Sequence, residues 1–231
     1  ANPFRSGYLD YCTGQKSVND QPYQVRFYPE GGRMVNGIPS VTGFLALNRY
    51  GYPVRCEATV VNGRGEPVAL AEADSTGTGS FVIIPERGET YSLVTAGTGL
   101  RFDLPAASDS GITMQVRNEE NKTVHILLRA RPDSLAPVKQ GGFILVRSRG
   151  RLLYSRELPA WETMYEISIP VSGLNEGLVN IACFDRDGRF TAERFIMLPA
   201  REEQKMILDI KGERGRRQKV TLQISIAADR G

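Results

Sequence analysis

Histidines, thiols and paired carboxylates are the side chains that most often do chemistry, and in this chain they are few and scattered. His125 is the only histidine among 231 residues. A metal centre or a Ser-His-Asp relay built on it would need partners from distant parts of the chain, because no residue at a motif spacing accompanies it. The three cysteines, Cys12, Cys56 and Cys183, form no C-x-x-C pair, which removes a zinc ribbon and a dithiol redox site. Cys56 lies in an alternating run and reads as a small buried hydrophobe, and spacing alone leaves open whether Cys12 and Cys56 pair. The glycine-rich pieces Gly77-Thr78-Gly79-Ser80-Phe81 and Gly97-Thr98-Gly99 lead into strand-like segments, whereas a phosphate cradle needs a helix N-terminus directly after the loop. Asp185-Arg186-Asp187-Gly188-Arg189 opens like a calcium loop but lacks the further oxygen ligands and the closing glutamate. Asp103, Asp109, Glu119 and Glu120 are loose carboxylates whose pairing for glycoside hydrolysis would be a matter of space, not of sequence. The expectation is a protein without cofactor or metal, and not an enzyme.

Recognition chemistry is better represented. Arginine outnumbers lysine 23 to 6, and Arg147, Arg149 and Arg151 recur at every second residue, on one face of a strand that ran straight. Gly150 between them signals a hairpin turn that would split the set. Trp161 lies in the loop-like stretch Pro159-Ala160-Trp161-Glu162-Thr163, and Tyr8, Tyr11, Tyr23, Tyr28, Tyr50 and Tyr52 crowd the first quarter. Exposed aromatic rings stack on sugars or anchor a protein partner, and buried ones close the ends of sandwiches or the joint between modules. Trp161, Arg147, Arg149 and Arg151 are therefore the candidate contacts to a polymer or a partner.

The elements that must position these residues are strands. With 41% hydrophobic residues the chain can bury a real core, and a net charge of +3 sets up no field that implies nucleic acid. No apolar run approaches the length of a membrane-spanning helix. Short apolar runs with period-two alternation, punctuated about every ten residues by glycine and proline, are the layout of β-sandwiches. A first series comprises 24–28, 42–48, 55–61, 67–72, 80–84 and 91–95. A second comprises 112–117, 122–129, 142–147, 151–156, 165–169, 178–184 and 190–197. Leu104–Gly111 is small and polar enough to be a linker between them. Helix is scarce: 201–210 has glutamates where a first helical turn would want them, but Ile207 and Ile210 favour a strand.

Two stretches resemble a known family. Phe27-Tyr28-Pro29-Glu30-Gly31-Gly32 with Val35 and Gly37, continuing through 42–54 to Gly77–Pro85 and Tyr91, is similar to the macroglobulin-like domains of alpha-2-macroglobulin-type bacterial envelope proteins. Gly177–Asp185, Gly188 and Ala192-Glu193-Arg194-Phe195 resemble the closing strands of the next module in such proteins. The resemblance implies that Pro-Glu-Gly-Gly is a structural corner. Pro29 would end a strand, the glycines would permit a tight reversal, and Glu30 would accept backbone N–H groups. It also implies export to the periplasm, outer membrane or cell surface, with a possible tie to TonB-dependent transport. The Cys-Gly-Glu-Gln thioester of true alpha-2-macroglobulins is absent, so covalent protease trapping does not carry over.

The sequence is thus expected to be all-β: two consecutive immunoglobulin-like or macroglobulin-like antiparallel β-sandwiches plus the start of a third module. Residues 1–23 would be an arm or the end of a preceding module, 24–106 and 107–200 the two sandwiches, and 201–231 a truncated third. The expected role is non-enzymatic spacing and protein–protein contact, with an envelope protein or neighbouring domains of the same chain as partners and no nucleic acid. The alternative is a module that binds glycan or an acidic surface polysaccharide.

Overall fold

The computed structural model describes residue 22 and residues 24–131, 137–199, 204–211 and 221–228. All of its longer elements are strands, joined antiparallel, with helix limited to two 3-10 turns. Residues 1–21, and with them Cys12, Tyr8 and Tyr11, lie outside the described residues, as does Tyr23.

The first seven strands are β1 (Gln24–Pro29), β2 (Ser40–Leu47), β3 (Cys56–Asn62), β4 (Pro67–Ala73), β5 (Thr78–Ile83), β6 (Tyr91–Thr95) and β7 (Arg101–Asp103). They follow one hydrogen-bonded order, β1-β2-β5-β4-β3-β6-β7. β7, the short Arg-Phe-Asp strand, is not foreseen from the sequence, because three residues are too few to show a period. Phe44 of β2 and Leu93 of β6 share one apolar cluster. In a flat sheet those strands would stand roughly 19 Å apart, at about 4.8 Å per step, so the sheet must fold over into two layers. The fold line lies between β4 and β5, which are joined by a single pair, Ala73 and Gly79. Gly79 is obligatory there, since an added Cβ would lie 2.1 Å from the Glu72 carbonyl oxygen and 2.6 Å from the Phe44 ring. Alternation then fills the interior, with Phe44 and Ala46 from β2, Phe81 and Ile83 from β5, and Cys56, Ala58 and Val60 from β3. Tyr91 closes one end, its hydroxyl accepting the Glu86 N–H at 3.0 Å.

The second seven strands divide into two separate sheets. β8 (Thr113–Glu119), β9 (Thr123–Arg129) and β12 (Met164–Pro170) run in the order β12-β9-β8, and β10 (Gly142–Ser148), β11 (Arg151–Leu158), β13 (Gly177–Asp185) and β14 (Phe190–Leu198) in the order β11-β10-β13-β14. This is the three-plus-four layout of an immunoglobulin-like sandwich. Its core is richer in branched aliphatics than the first: Val124, Ile126 and Leu128 of β9 face Ile144, Val146, Val179 and Ile181, all fully buried. Each such side chain contributes about 1.5–3 kcal/mol when it leaves water.

The last two strands, β15 (Gln204–Lys211) and β16 (Thr221–Ala228), pair only with each other among the described residues. The extended reading of Lys205–Ile210 is correct, and its helical alternative is not adopted.

Candidate functional site

The two sandwiches meet at a joint built from the Pro29-Glu30-Gly31-Gly32 corner, the buried loop that follows it, and the segment Leu104–Ile112. The corner forms as the sequence suggests. Pro29 ends β1, the Gly32 N–H closes a turn on the Pro29 carbonyl at 2.9 Å, and Gly31 and Gly32 take φ values of +81° and +93°. Gly31 has a second reason to be glycine, because an added Cβ would lie 2.8 Å from the backbone nitrogen of Met114 in β8. The corner therefore presses directly on the second sandwich. Glu30 departs from its expected role of backbone acceptor. Its carboxylate reaches across to Arg194 of β14 at 2.8 Å. Burial pushes the Glu30 carboxyl above the usual carboxylate range, and the Arg194 charge opposes that shift without cancelling it.

The segment read as a linker is tied down. Val35 and Ser108 form a parallel bridge, with the Asn36 N–H donating to the Ser108 carbonyl and the Ser108 N–H to the Met34 carbonyl, both at 2.9 Å. Met34, Val35 and Asn36 are all buried. Asp109 gathers the Asn36 amide at 2.9 Å and the Arg87 guanidinium at 2.8 Å. Those hydrogen bonds, the one from Arg87 first, hold its carboxyl below the usual range. The Arg131 side chain, two residues past the end of β9, lies against Gly37, and Arg33 lies against Gly111. Cross-contacts from one short stretch, Glu30 to Arg194, Gly31 to Met114 and Gly37 to Arg131, together with the Val35–Ser108 bridge to the connecting segment, tie the first sandwich to the second at the joint. Short polar sequence here is clamped chain.

The candidate contact residues do not converge. Trp161 is 8% exposed and packs in the core of the second sandwich, its backbone N–H donating to the Lys139 carbonyl at 2.9 Å. Arg149 and Gly150 form the β10–β11 turn, with φ of +49° and +75°. Arg147 stands opposite Leu152, and Arg151 opposite the buried Ser148, so alternation sends Arg147 and Arg151 to opposite faces of the sheet. Arg147 instead donates to Asn180 at 3.1 Å, and Asn180 to Glu193 at 3.1 Å, forming a polar strap across the outer face of β10, β13 and β14. Around that strap lie exposed apolar groups that the sequence reading passed over. Phe143 stacks on Phe184 at 5.2 Å, Phe184 meets Phe190 edge-on at 6.0 Å, and Leu178, Phe195 and Met197 are each more than half exposed. The signal was present in β13 and β14, where apolar residues occupy both alternating faces.

The opposite outer face is more polar, with Met164 its exposed apolar residue. Ser168 Oγ lies 3.0 Å from His125 Nδ1, and His125 Nε2 lies 2.8 Å from a Glu119 carboxylate oxygen, so the lone histidine finds a hydroxyl and a carboxylate through strand register. The chain of groups is that of a hydrolase relay, set on the outer face of the β12-β9-β8 sheet. A relay works with a concave site and with backbone donors aimed at a developing oxyanion. Here the amides of β9 are engaged with β8 on one side and β12 on the other. Asp185 serves as a turn acceptor, its Oδ1 receiving the Asp187 and Arg189 N–H groups at 2.9 and 2.8 Å. No group of three or more His, Cys, Asp or Glu able to hold a metal ion occurs among the described residues. Cys56 and Cys183 are buried free thiols, and desolvation pushes Cys183 up to about 11.

No protein-family model matches the chain, and no curated protein matches it. Solved structures do match, at low overlap. A biofilm-associated protein BSP domain is 18% identical, with 77% of this chain and 30% of that one covered at a TM-score of 0.33. Domains 4–9 of the surface-layer protein SbsC are 9% identical, covering 83% of this chain and 33% of that one at 0.39. The native conformation of E. coli alpha-2-macroglobulin is 11% identical, covering 92% of this chain and 21% of that one at 0.27. The chain spans a third or less of each of these three. Overlap this loose transfers no function.

Proposed function

We propose that this chain is a non-enzymatic structural and interaction module of a larger exported cell-envelope protein, two sandwiches held at a fixed angle so that surfaces at either end are presented at a set spacing. The observation that carries this reading is the clamped joint. Domains linked within one chain move relative to each other by default, and a chain that ties Glu30 to Arg194, Gly31 to Met114 and Ser108 to Val35 has spent sequence on preventing it. The envelope location rests on the resemblance of residues 26–44 and 177–196 to macroglobulin-like modules.

The polymer-binding alternative needs Trp161 or the arginines as one exposed group. Trp161 is buried and the turn at Arg149-Gly150 divides the arginines, so the spacer reading is preferred. Affinity capture tests it, with the chain as bait for solubilised envelope proteins and, separately, for isolated surface polysaccharide. Salt-stable recovery of envelope protein supports the proposal. Retention of polysaccharide that is lost when Arg147, Arg149 and Arg151 are changed to Ala overturns it in favour of polymer binding.

A further inference from the structure

β4 and β5 are successive strands inside the first sandwich, yet beyond the single pair Ala73–Gly79 they part. An open groove of about 810 Å³ lies between them, walled by Glu57, Leu70, Glu72 and Ser80 and floored by the small residues Ala58 and Ala71. Both walls present unused backbone, because successive residues of an antiparallel ladder turn their N–H and C=O groups to opposite sides. The Ala96 N–H donates to the Glu57 carbonyl, so Glu57 faces β6. Ala58 and Val60 then bond to Ala71 and Ala69 of β4, and Leu70 is left turned to the groove. Across it, the Glu30 N–H donates to the Val41 carbonyl, so Val41 faces β1. Ser40 and Thr42 then bond to Ile83 and Phe81, and Ser80 and Val82 of β5 are left turned to the groove.

Open edges are ordinarily blunted by charge, proline or a bulge. Pro67 and the bulge at Val60–Val61 do this at the start of β4. β5, Thr-Gly-Ser-Phe-Val-Ile, has neither proline nor charge, and Val82 on it is more than half exposed. Leu70, on the facing wall, is 82% exposed. The charge that guards the groove is all of one sign. Glu57 and Glu72 stand directly opposite each other, both exposed, and neither has an ion-pair partner among the described residues. Like charges in that relation repel. A second copy entering by the same edge would add two more carboxylates, so the pair opposes pairing between copies. A basic strand relieves the repulsion instead. We infer that the first sandwich takes an extended, lysine- or arginine-bearing segment of a partner protein, added as a strand to the free edge of β5. Its inward side chains are apolar and lie on Ala58 and Ala71. Its outward basic groups meet Glu57 and Glu72, their stems lying along Leu70. This binding gives the interaction-module reading its partner chemistry and rests on that reading, and its failure would leave the rigidity of the joint untouched.

NMR of the backbone amides of the full chain, titrated with a short blocked peptide of alternating Val and Lys, tests it. The expected result is saturable shifts at Ser80 and Val82, with slowed hydrogen exchange there, that weaken as salt is raised. Methylating the peptide's backbone nitrogens should abolish them. Changing Glu57→Lys together with Glu72→Lys, both at exposed positions, should weaken this peptide about tenfold and turn the preference to a peptide of alternating Val and Glu. No saturable shift at β5, equal binding of the two peptides by the unchanged chain, or shifts centred on β14 would overturn the inference. So would Ser80 and Val82 amides that gain protection with rising concentration of the chain alone, because a second copy would then hold the edge.

Discussion

The joint at residues 104–112 and the hairpin at 204–228 invert what their compositions suggest. Leu104–Gly111 is small, polar and proline-bearing, the composition of a flexible connector, yet its backbone bridges Val35 and its Asp109 draws in two side chains. The hairpin is regular and strongly patterned, and its apolar face is exposed among the described residues. Composition reports what a segment can do in water. Whether it is ordered depends on which backbone groups find partners, and a hydrophobic pattern ensures that a face wants cover without supplying it.

The largest expected effect is in the second sandwich and calibrates the rest. Trp161→Ala should destabilise it by about 3–5 kcal/mol, the cost of emptying an aromatic site in a core. Urea unfolding followed by circular dichroism would read the loss, and an unchanged midpoint would mean that Trp161 is not packed as described. Next is the corner. Gly31→Val places a Cβ against the Met114 backbone and a branched side chain at φ +81°, and should cost about 2–3 kcal/mol. Thermal unfolding by calorimetry should then separate the two sandwiches into distinct transitions. A single cooperative transition would show that the corner does not couple them.

Smaller effects should follow at Glu30. Glu30→Ala leaves Arg194 without its partner in a half-buried place and should cost about 1 kcal/mol, the pair being too near solvent for more. Glu30→Gln keeps an acceptor for Arg194 and should be near neutral at pH 7. The sign follows from the raised carboxyl. A folded-state pKa above the unfolded one adds stability below about pH 4.5, which is lost as pH rises through the folded value, so Gln removes a cost at neutral pH along with the charge. Asp109 works the other way. Its lowered pKa gives stability that is complete above about pH 4 and fades as pH falls through the folded value. Asp109→Asn should therefore flatten the acid limb of a stability–pH curve and Glu30→Gln should steepen it. If both variants changed it in the same direction, the assignment of these two carboxylates to opposite roles would fail.

Most strands were legible because alternation is a local property. QVRFYP, CEATVVN and TVHILLR carry their period on the page, and glycine and proline mark their ends. The Pro-Glu-Gly-Gly corner was legible too, since positive φ selects glycine. What Glu30 touches was not, because Arg194 is 164 residues away and only the packing of two sandwiches brings it there. The same holds for Ser168, His125 and Glu119, which strand register gathers across 43 and 6 residues. Trp161 was ambiguous in principle, because a loop tryptophan can be an exposed anchor or a core residue and only the fold decides.

The central claim is that the two sandwiches form one rigid spacer. Spin labels at Arg64→Cys in the first sandwich and Arg151→Cys in the second, in a Cys12→Ser background, report it directly by pulsed electron resonance, and the buried Cys56 and Cys183 should stay unlabelled. A single narrow distance distribution that broadens on adding Gly31→Val is the predicted result. A broad distribution in the chain without that change would contradict the account, because the joint would then be a hinge.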